Sequence, residues 1–328
     1  MEINHRDDIY LVALHVDGKQ VVSGGKEQKI RCWRVEDGME VGTPMDAGGI
    51  VWNVAVSRDG KWIVSGTESG QVTVWNAESH EKVTDFKAHN NCMRALDLSP
   101  DGTQIATGSD DKTVCLWSLQ TGQQLFYPLQ HRFFVAAAKL SPHGYCLATA
   151  MWFRHSIRMY YYSQNLSFDV PIRVTLSENQ SLTWTSDSSQ LFALSYDGKI
   201  HCISVPNDTT LSQWPIYNSS IPMCITLASN DTFIAVSAES SFSFWDVGTY
   251  KQIGSIIKHT ADIESVAISA NYDIAVGGGK TITLRSLCDI IPLPYSDYVS
   301  ATTRIRRLSN LDRVPDCCRP SRGGPWDA

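Results

Sequence analysis

One column of residues recurs about every 42 positions and constrains the fold of this 328-residue chain more than any other feature. In order, the column is occupied by Trp33, Trp75, Trp117, Tyr160, Ile203, Trp245 and Arg285. A second column keeps the same spacing and consists of turn triplets, such as Arg-Asp-Gly at 58–60 and Pro-Asp-Gly at 100–102. Because internal periods of about 20–50 residues indicate solenoids, propellers or arrays, the two columns predict seven units over residues 1–294.

The third unit shows what each repeat contains. Alternating apolar residues predict strands over 93–98, 104–107, 113–117 and 124–129, and Pro-Asp-Gly and Asp-Asp-Lys sequences supply the first two turns. Four short meandering strands form one twisted antiparallel sheet, which cannot bury both faces alone. Seven such sheets around an axis bury them against one another, so the sequence predicts an all-β, seven-bladed β-propeller of four-stranded antiparallel sheets with a short irregular C-terminal tail.

The charge and cysteine content narrow the partners and the location. The net charge of −6 argues against a general nucleic-acid binder, which needs clustered Lys and Arg. No apolar run is long enough for a membrane helix, and the first six residues do not resemble a secretory signal. Nine cysteines without a Cys-x-x-Cys pair indicate free thiols in a reducing compartment, so we expect a cytoplasmic protein, with the nucleus as the alternative.

The third unit resembles a WD40 repeat almost throughout. It has a corner histidine, the Ser-Pro-Asp-Gly turn, the Gly-Ser-Asp-Asp-Lys-Thr turn and the tryptophan of the terminal dipeptide. The resemblance implies the family's structural tetrad, which in the third unit consists of His89, Thr107, Asp111 and Trp117. The first unit nearly matches it with His5, Ser23, Glu27 and Trp33. Units four to seven keep few of these residues, and the chain resembles the expanded WD40 repeat proteins of filamentous fungi.

The resemblance also implies a function. WD40-like rings are non-catalytic scaffolds that bind partner proteins or peptides on the narrower top face, as monomers or within larger signalling assemblies. The sequence contains no metalloprotease, nucleophile-elbow, P-loop or dinucleotide motif, and we expect no cofactor and no metal. One alternative is a quinoprotein-like or lactonase-like enzyme, which needs acid and base residues converging on the channel. Another is a phosphopeptide-reading ubiquitin-ligase adaptor, which needs an arginine cluster on the top face.

The fourth unit carries the clearest candidate binding surface. Turns are normally polar, yet its corner and its facing turn hold Trp, Phe and Arg, which are enriched at interface hot spots. With neighbours from units two and five, the candidate partner-binding residues are Ile50, Trp52, Arg132, Phe133, Phe134, Trp152, Phe153, Arg154 and Tyr196. The alternative is that these aromatic side chains only fill the widened contacts between blades three to five.

Two expectations concern the ends of the chain. Only four residues precede the corner residue His5, too few for a proper strand. We therefore expect the last unit to supply its own outer strand from 288–293 and the ring to close by side-chain contacts alone, unless the chain is a fragment. Residues 295–328 lose the repeat and hold six Arg against four Asp, so we expect a disordered basic tail in which Ser309 is a candidate phosphorylation site.

Overall fold

The computed structural model describes residues 1–152, 157–161, 166–170, 182–195, 197–205, 209–216, 222–227, 231–269, 273–287 and 290. Their strands form seven four-stranded antiparallel sheets, and the prediction of an all-β, seven-bladed propeller is confirmed. The described residues contain no helix long and apolar enough to cross a membrane.

Each sheet is one blade, and its strands run from the central channel outward. The N-terminal strand is β1 (Glu2–Asn4). Blade one consists of β2 (Ile9–Leu14), β3 (Gln20–Gly25), β4 (Lys29–Arg34) and β5 (Glu40–Asp46). Blade two consists of β6 (Val51–Val56), β7 (Trp62–Thr67), β8 (Gln71–Asn76) and β9 (Lys82–Lys87). Blade three consists of β10 (Met93–Leu98), β11 (Gln104–Ser109), β12 (Thr113–Ser118) and β13 (Leu129–Gln130).

The remaining blades keep the same order. Blade four consists of β14 (Val135–Leu140), β15 (Cys146–Met151), β16 (Ile157–Tyr161) and β17 (Leu166–Val170). Blade five consists of β18 (Leu182–Trp184), β19 (Gln190–Leu194), β20 (Lys199–Ser204) and β21 (Thr209–Pro215). Blade six consists of β22 (Pro222–Leu227), β23 (Phe233–Ala238), β24 (Ser241–Asp246) and β25 (Gln252–Lys258). Blade seven consists of β26 (Ser265–Ile268), β27 (Asp273–Gly278), β28 (Thr281–Ser286) and β1.

The inner strands contact one another in a closed circle, from β2 through β26 and back to β2. Glycines of the second strands let neighbouring blades approach closely. A Cβ atom on Gly66 would lie 2.0 Å from Met93 Cε, and one on Gly108 would lie 2.6 Å from Val135 Cγ1. The space that a side chain would occupy is therefore filled by residues of the next blade. The core lies between blades as well as within them.

The outer strand of blade three is shorter than the sequence suggested. The prediction of a strand over 124–129 is wrong in extent, because β13 contains only Leu129 and Gln130. Pro128, directly before it, has no N–H to donate to a ladder. Further back, the pairing with β12 is an isolated bridge: the Leu125 amide donates to the Leu116 carbonyl oxygen and the Ser118 amide donates to the Gln123 carbonyl oxygen, both at 2.8 Å.

The closure of the ring also differs from our expectation. β1 pairs with β28, with Ile3 opposite Ile282, so the expectation that side-chain contacts alone close the ring is wrong. Three residues suffice because backbone bonds extend the pairing at both ends: the Leu284 amide donates to Met1 O at 2.8 Å, and the His5 amide donates to Lys280 O at 2.7 Å. The expected outer strand at 288–293 and the tail with Ser309 lie outside the described residues, except for residue 290.

Candidate partner-binding site at the mouth of the propeller

Blade three contains a hydrogen-bonded chain that joins its corner to its central strands. His89 Nε2 lies 2.8 Å from Thr107 Oγ1, and Trp117 Nε1 donates to the same hydroxyl oxygen at 2.8 Å. The other imidazole nitrogen, Nδ1, lies 3.0 Å from Asp111 Oδ2. The chain fixes the corner before β10 and the turn before β12. We call the side of the ring formed by such corners and turns the top face.

Asp111 is the charged member of this chain. Burial alone would raise the pKa of its carboxyl group, but hydrogen bonds with His89 and Thr113 outweigh burial and lower the pKa well below its usual range. Thr113 Oγ1 donates to Oδ1 at 2.6 Å, and the Asn90 amide donates to Oδ2 at 3.1 Å. The turn therefore holds an ionised carboxylate near neutral pH.

In blade one the corresponding residues do not form one continuous chain. Trp33 Nε1 donates to Ser23 Oγ at 2.8 Å, but within the described residues His5 Nε2 has no hydrogen-bond partner. His5 Nδ1 lies 3.6 Å from Glu27, whose carboxylate instead binds the buried guanidinium of Arg31. Burial lowers the pKa of His5 despite the opposing effect of Glu27, so this histidine stays neutral at physiological pH.

Blade four keeps a variant of the chain that the sequence did not reveal. His131 Nε2 lies 2.9 Å from Thr149 Oγ1, and the Tyr160 hydroxyl lies 3.2 Å from the same nitrogen. Tyr160 occupies the tryptophan column, so its position in the repeat was a signal for this role. Because of these bonds, the corner before β14 is held to the blade as the corner of blade three is.

A β-bulge recurs at the top of the inner strands. In five blades the inner strand skips one residue in its pairing with the second strand of the blade. These inner strands are β2, β6, β10, β14 and β22. In the first three of these strands the skipped residues are Tyr10, Trp52 and Arg94. Bulges re-aim side chains next to functional sites, and these three point into one row at the channel mouth.

These side chains form a continuous stack with a tryptophan of blade four. Tyr10 and Trp52 lie parallel, with ring centroids 4.6 Å apart and an interplanar angle of 18°. Arg94 Cζ lies 4.8 Å from the ring centroid of Trp52 and 5.3 Å from that of Trp152. Asp110 holds the guanidinium of Arg94 in place, because Asp110 Oδ2 lies 3.0 Å from Arg94 Nη2. We call Tyr10, Trp52, Arg94 and Trp152 the mouth stack.

The mouth stack is a preorganised surface. An aromatic pair contributes about 0.5–1.5 kcal/mol, and a cation over a ring contributes about 0.5–2 kcal/mol. All four side chains are half-buried, so part of each remains open to solvent. Because they hold one another in place, a ligand that contacts them needs little further ordering of side chains.

The structure brings together only some of the residues that the sequence suggested. Trp52 and Trp152 belong to the mouth stack, and Ile50 is half-buried at the corner beside it. At the corner of blade four, Arg132 is exposed, Phe133 is half-buried and Phe134 is 37% exposed. Phe153, Arg154 and Tyr196 lie outside the described residues.

Sequence reasoning did not assemble Tyr10 and Arg94 with these residues. Both residues occupy the same position in their repeats as Trp52 does in the second, so a comparison of that position between repeats would have identified them. The inner strands of blades one to four line a half-open cavity of about 50 Å³, to which Arg94 and Asn53 contribute. Near it, Lys139 Nζ binds Asp97 Oδ1 at 3.0 Å across the blade boundary. In the described part of the chain, no group of three His, Cys, Asp or Glu residues is placed to hold a metal ion.

Comparison with known proteins agrees with this architecture. The family model described as WD domain, G-beta repeat, matches residues 2–34, 42–76 and 80–118. These three stretches are WD40 repeats. Each match begins in or just before the outer strand of one blade and ends in the third strand of the next. A WD40 repeat in the sequence therefore spans two blades, which explains why β1 belongs to blade seven.

A solved structure supports the whole ring. The crystal structure of RRP9 WD40 repeats is similar to this chain with a TM-score of 0.76, covering 86% of this chain and 96% of that chain. The two sequences are 17% identical, so the likeness shows the fold alone. No curated protein matches this sequence.

Proposed function

We propose that this WD40-repeat propeller is a non-catalytic scaffold that binds a peptide segment of a partner protein across its top face. The mouth stack is the observation that supports the proposal. It places three large aromatic rings and a guanidinium, half-buried and in contact, at the centre of that face. Trp, Tyr and Arg are the residue types that dominate binding energy at protein interfaces.

The hydrogen-bonded chains of blades three and four support this binding indirectly. They fix the corners and turns on which Asp110 and Phe134 lie, beside the stack. Binding residues on loops that a rigid scaffold positions are a common arrangement. The scaffold therefore presents an ordered surface before any partner arrives.

A pull-down from a native extract with quantitative mass spectrometry tests the proposal. We expect proteins captured by the wild type to be lost with Trp52→Ala, because the substitution removes the middle of the stack. The matched control is Tyr145→Ala, which removes an aromatic side chain that is 66% exposed on the opposite face. Equal capture by both variants would place the binding site elsewhere. Thermal melting of both variants shows whether each is folded.

A further inference from the structure

Two exposed cationic residues, Lys112 and Arg132, belong to adjoining backbone segments on the top face between blades three and four. The His131 amide donates to the Lys112 carbonyl oxygen at 2.8 Å, so the turn that ends at Lys112 adjoins the corner that contains Arg132. Both side chains are exposed, and within the described residues neither forms an ion pair. The carboxylates of the same turn are engaged elsewhere, because Asp110 binds Arg94 and Asp111 lies against His89.

An exposed aromatic residue, Phe134, belongs to the segment that links Arg132 to the mouth stack. Phe134 is 37% exposed, and it follows Arg132 by two residues. The Trp152 amide donates to the Phe134 carbonyl oxygen at 2.8 Å, which joins the backbone at Phe134 to the stack. Positive charge and apolar surface are therefore adjacent on this side of the mouth.

The other side of the top face has the opposite balance of charge. In blades six, seven and one the corners and turns carry Asp7, Asp8, Glu239, Asp262 and Glu264 against Arg6, Lys26 and Lys280. A nucleic-acid backbone crossing the mouth would be repelled by these carboxylates. A peptide can instead match both sides, because its charge varies along its length.

From this juxtaposition we propose that the bound peptide carries a carboxylate residue directly beside a large apolar residue, and that Lys112, Arg132 and Phe134 receive that pair. The proposal rests on the proposed function and specifies its ligand. The carboxylate meets the two cations, and the apolar side chain covers Phe134 next to the stack. A phosphorylated residue fits less well, since phosphate groups favour clustered guanidinium groups and Asp110 already occupies Arg94.

Selection from a phage-displayed random-peptide library against the wild-type protein tests this inference. We expect enriched peptides to contain Asp or Glu next to Phe, Trp or Leu. The double variant Lys112→Glu/Arg132→Glu should bind them about tenfold more weakly, because like charges then face each other. Its matched control, Arg58→Glu/Lys61→Glu, makes the same change of charge at exposed residues of the opposite face and should bind as the wild type does.

Each other outcome has a defined meaning. Enriched peptides whose binding is lost with Trp52→Ala, but which are basic or uncharged, would overturn this inference and leave the proposed function intact. The same holds if their binding is unchanged in the Lys112→Glu/Arg132→Glu variant. Peptides indifferent to Trp52, or no enrichment at all, would contradict both. A single-stranded RNA oligonucleotide, or a phosphoserine form of the peptide, that binds more tightly than the enriched peptide would also overturn it. If the double variant is unfolded, the single change Arg132→Ala replaces it in the comparison.

Discussion

At the scale of single residues, a few polar groups determine the shape of the top face. Thr107 Oγ1 accepts a hydrogen bond from Trp117 Nε1 and lies 2.8 Å from His89 Nε2, and Asp111 ties the imidazole of His89 to the turn before β12. The carboxylate stays ionised because its hydrogen bonds outweigh the effect of burial on its pKa. Charge-assisted hydrogen bonds of this kind are about twice as strong as neutral ones.

Asp111→Asn should lower the free energy of unfolding by about 2 kcal/mol at neutral pH, since hydrogen bonds to charged groups contribute about 1.5–3 kcal/mol. The pKa of Asp111 is lowered in the folded state, so its contribution is complete above the unfolded-state pKa of about 3.9 and is lost below it. Urea unfolding from neutral to acidic pH should therefore show the difference from wild type shrinking below that value. Asp85→Asn, exposed on β9, is the control, and a constant difference across pH would contradict the argument.

The sequence predicted the tetrad of blade three because every member occupies a repeat column. It could not predict the arrangement in blade one, where Arg31 lies outside those columns and binds Glu27. Arg31 also binds Glu40, which the pairing of β4 with β5 brings close. The role of Tyr160 could have been predicted from the sequence, because a tyrosine hydroxyl can replace the indole N–H as a hydrogen-bond partner.

At the scale of secondary-structure elements, the shortest strand closes the ring. β1 has three residues, yet Ile3 is only 5% exposed and belongs to a cluster with Trp33, Ile282 and Leu284. The strand therefore joins blade seven by backbone bonds and contacts blade one with a side chain. The expectation from the sequence was wrong because it required a longer strand for pairing. Here the flanking residues Met1 and His5 continue the pairing.

Ile3→Ala should lower the free energy of unfolding by about 2–5 kcal/mol, as expected for a buried Ile replaced by Ala. It should also speed hydrogen exchange at the Leu284 amide, which is bonded to Met1 O. Urea unfolding and amide exchange measured on the same samples check both effects. Glu2→Ala, at an exposed position of the same strand, should change neither. A loss below about 1 kcal/mol, with exchange unchanged, would show that β1 is not needed for closure.

The bulges of the inner strands belong to the same scale. Each of these bulges lies next to the first residue of its strand, so the alternation of apolar residues along the rest of the strand is unchanged and the sequence pattern did not reveal the bulge. The bulge nevertheless decides which side chains reach the mouth. Tyr10, Trp52 and Arg94 form one row because three blades share the same irregularity.

At the scale of the whole molecule, the period alone sufficed to predict the number of blades, but not that β1 is the outer strand of blade seven. Blades four to seven have lost most repeat residues, but they keep the spacing and form the same sheets. The distribution of charge over the top face could not be predicted from the net charge of −6, because it depends on which turns the ring brings together. The basic and aromatic side of the mouth lies across the channel from the acidic side.

Hydrogen–deuterium exchange of the protein, alone and with a captured partner, tests most directly whether the mouth stack is the binding site. The account predicts slower exchange in the segments 8–12, 50–54, 92–96 and 132–138, which surround the stack, and unchanged exchange in the outer strands β5 and β9. Protection confined to the outer strands or to the turns of the opposite face would contradict it.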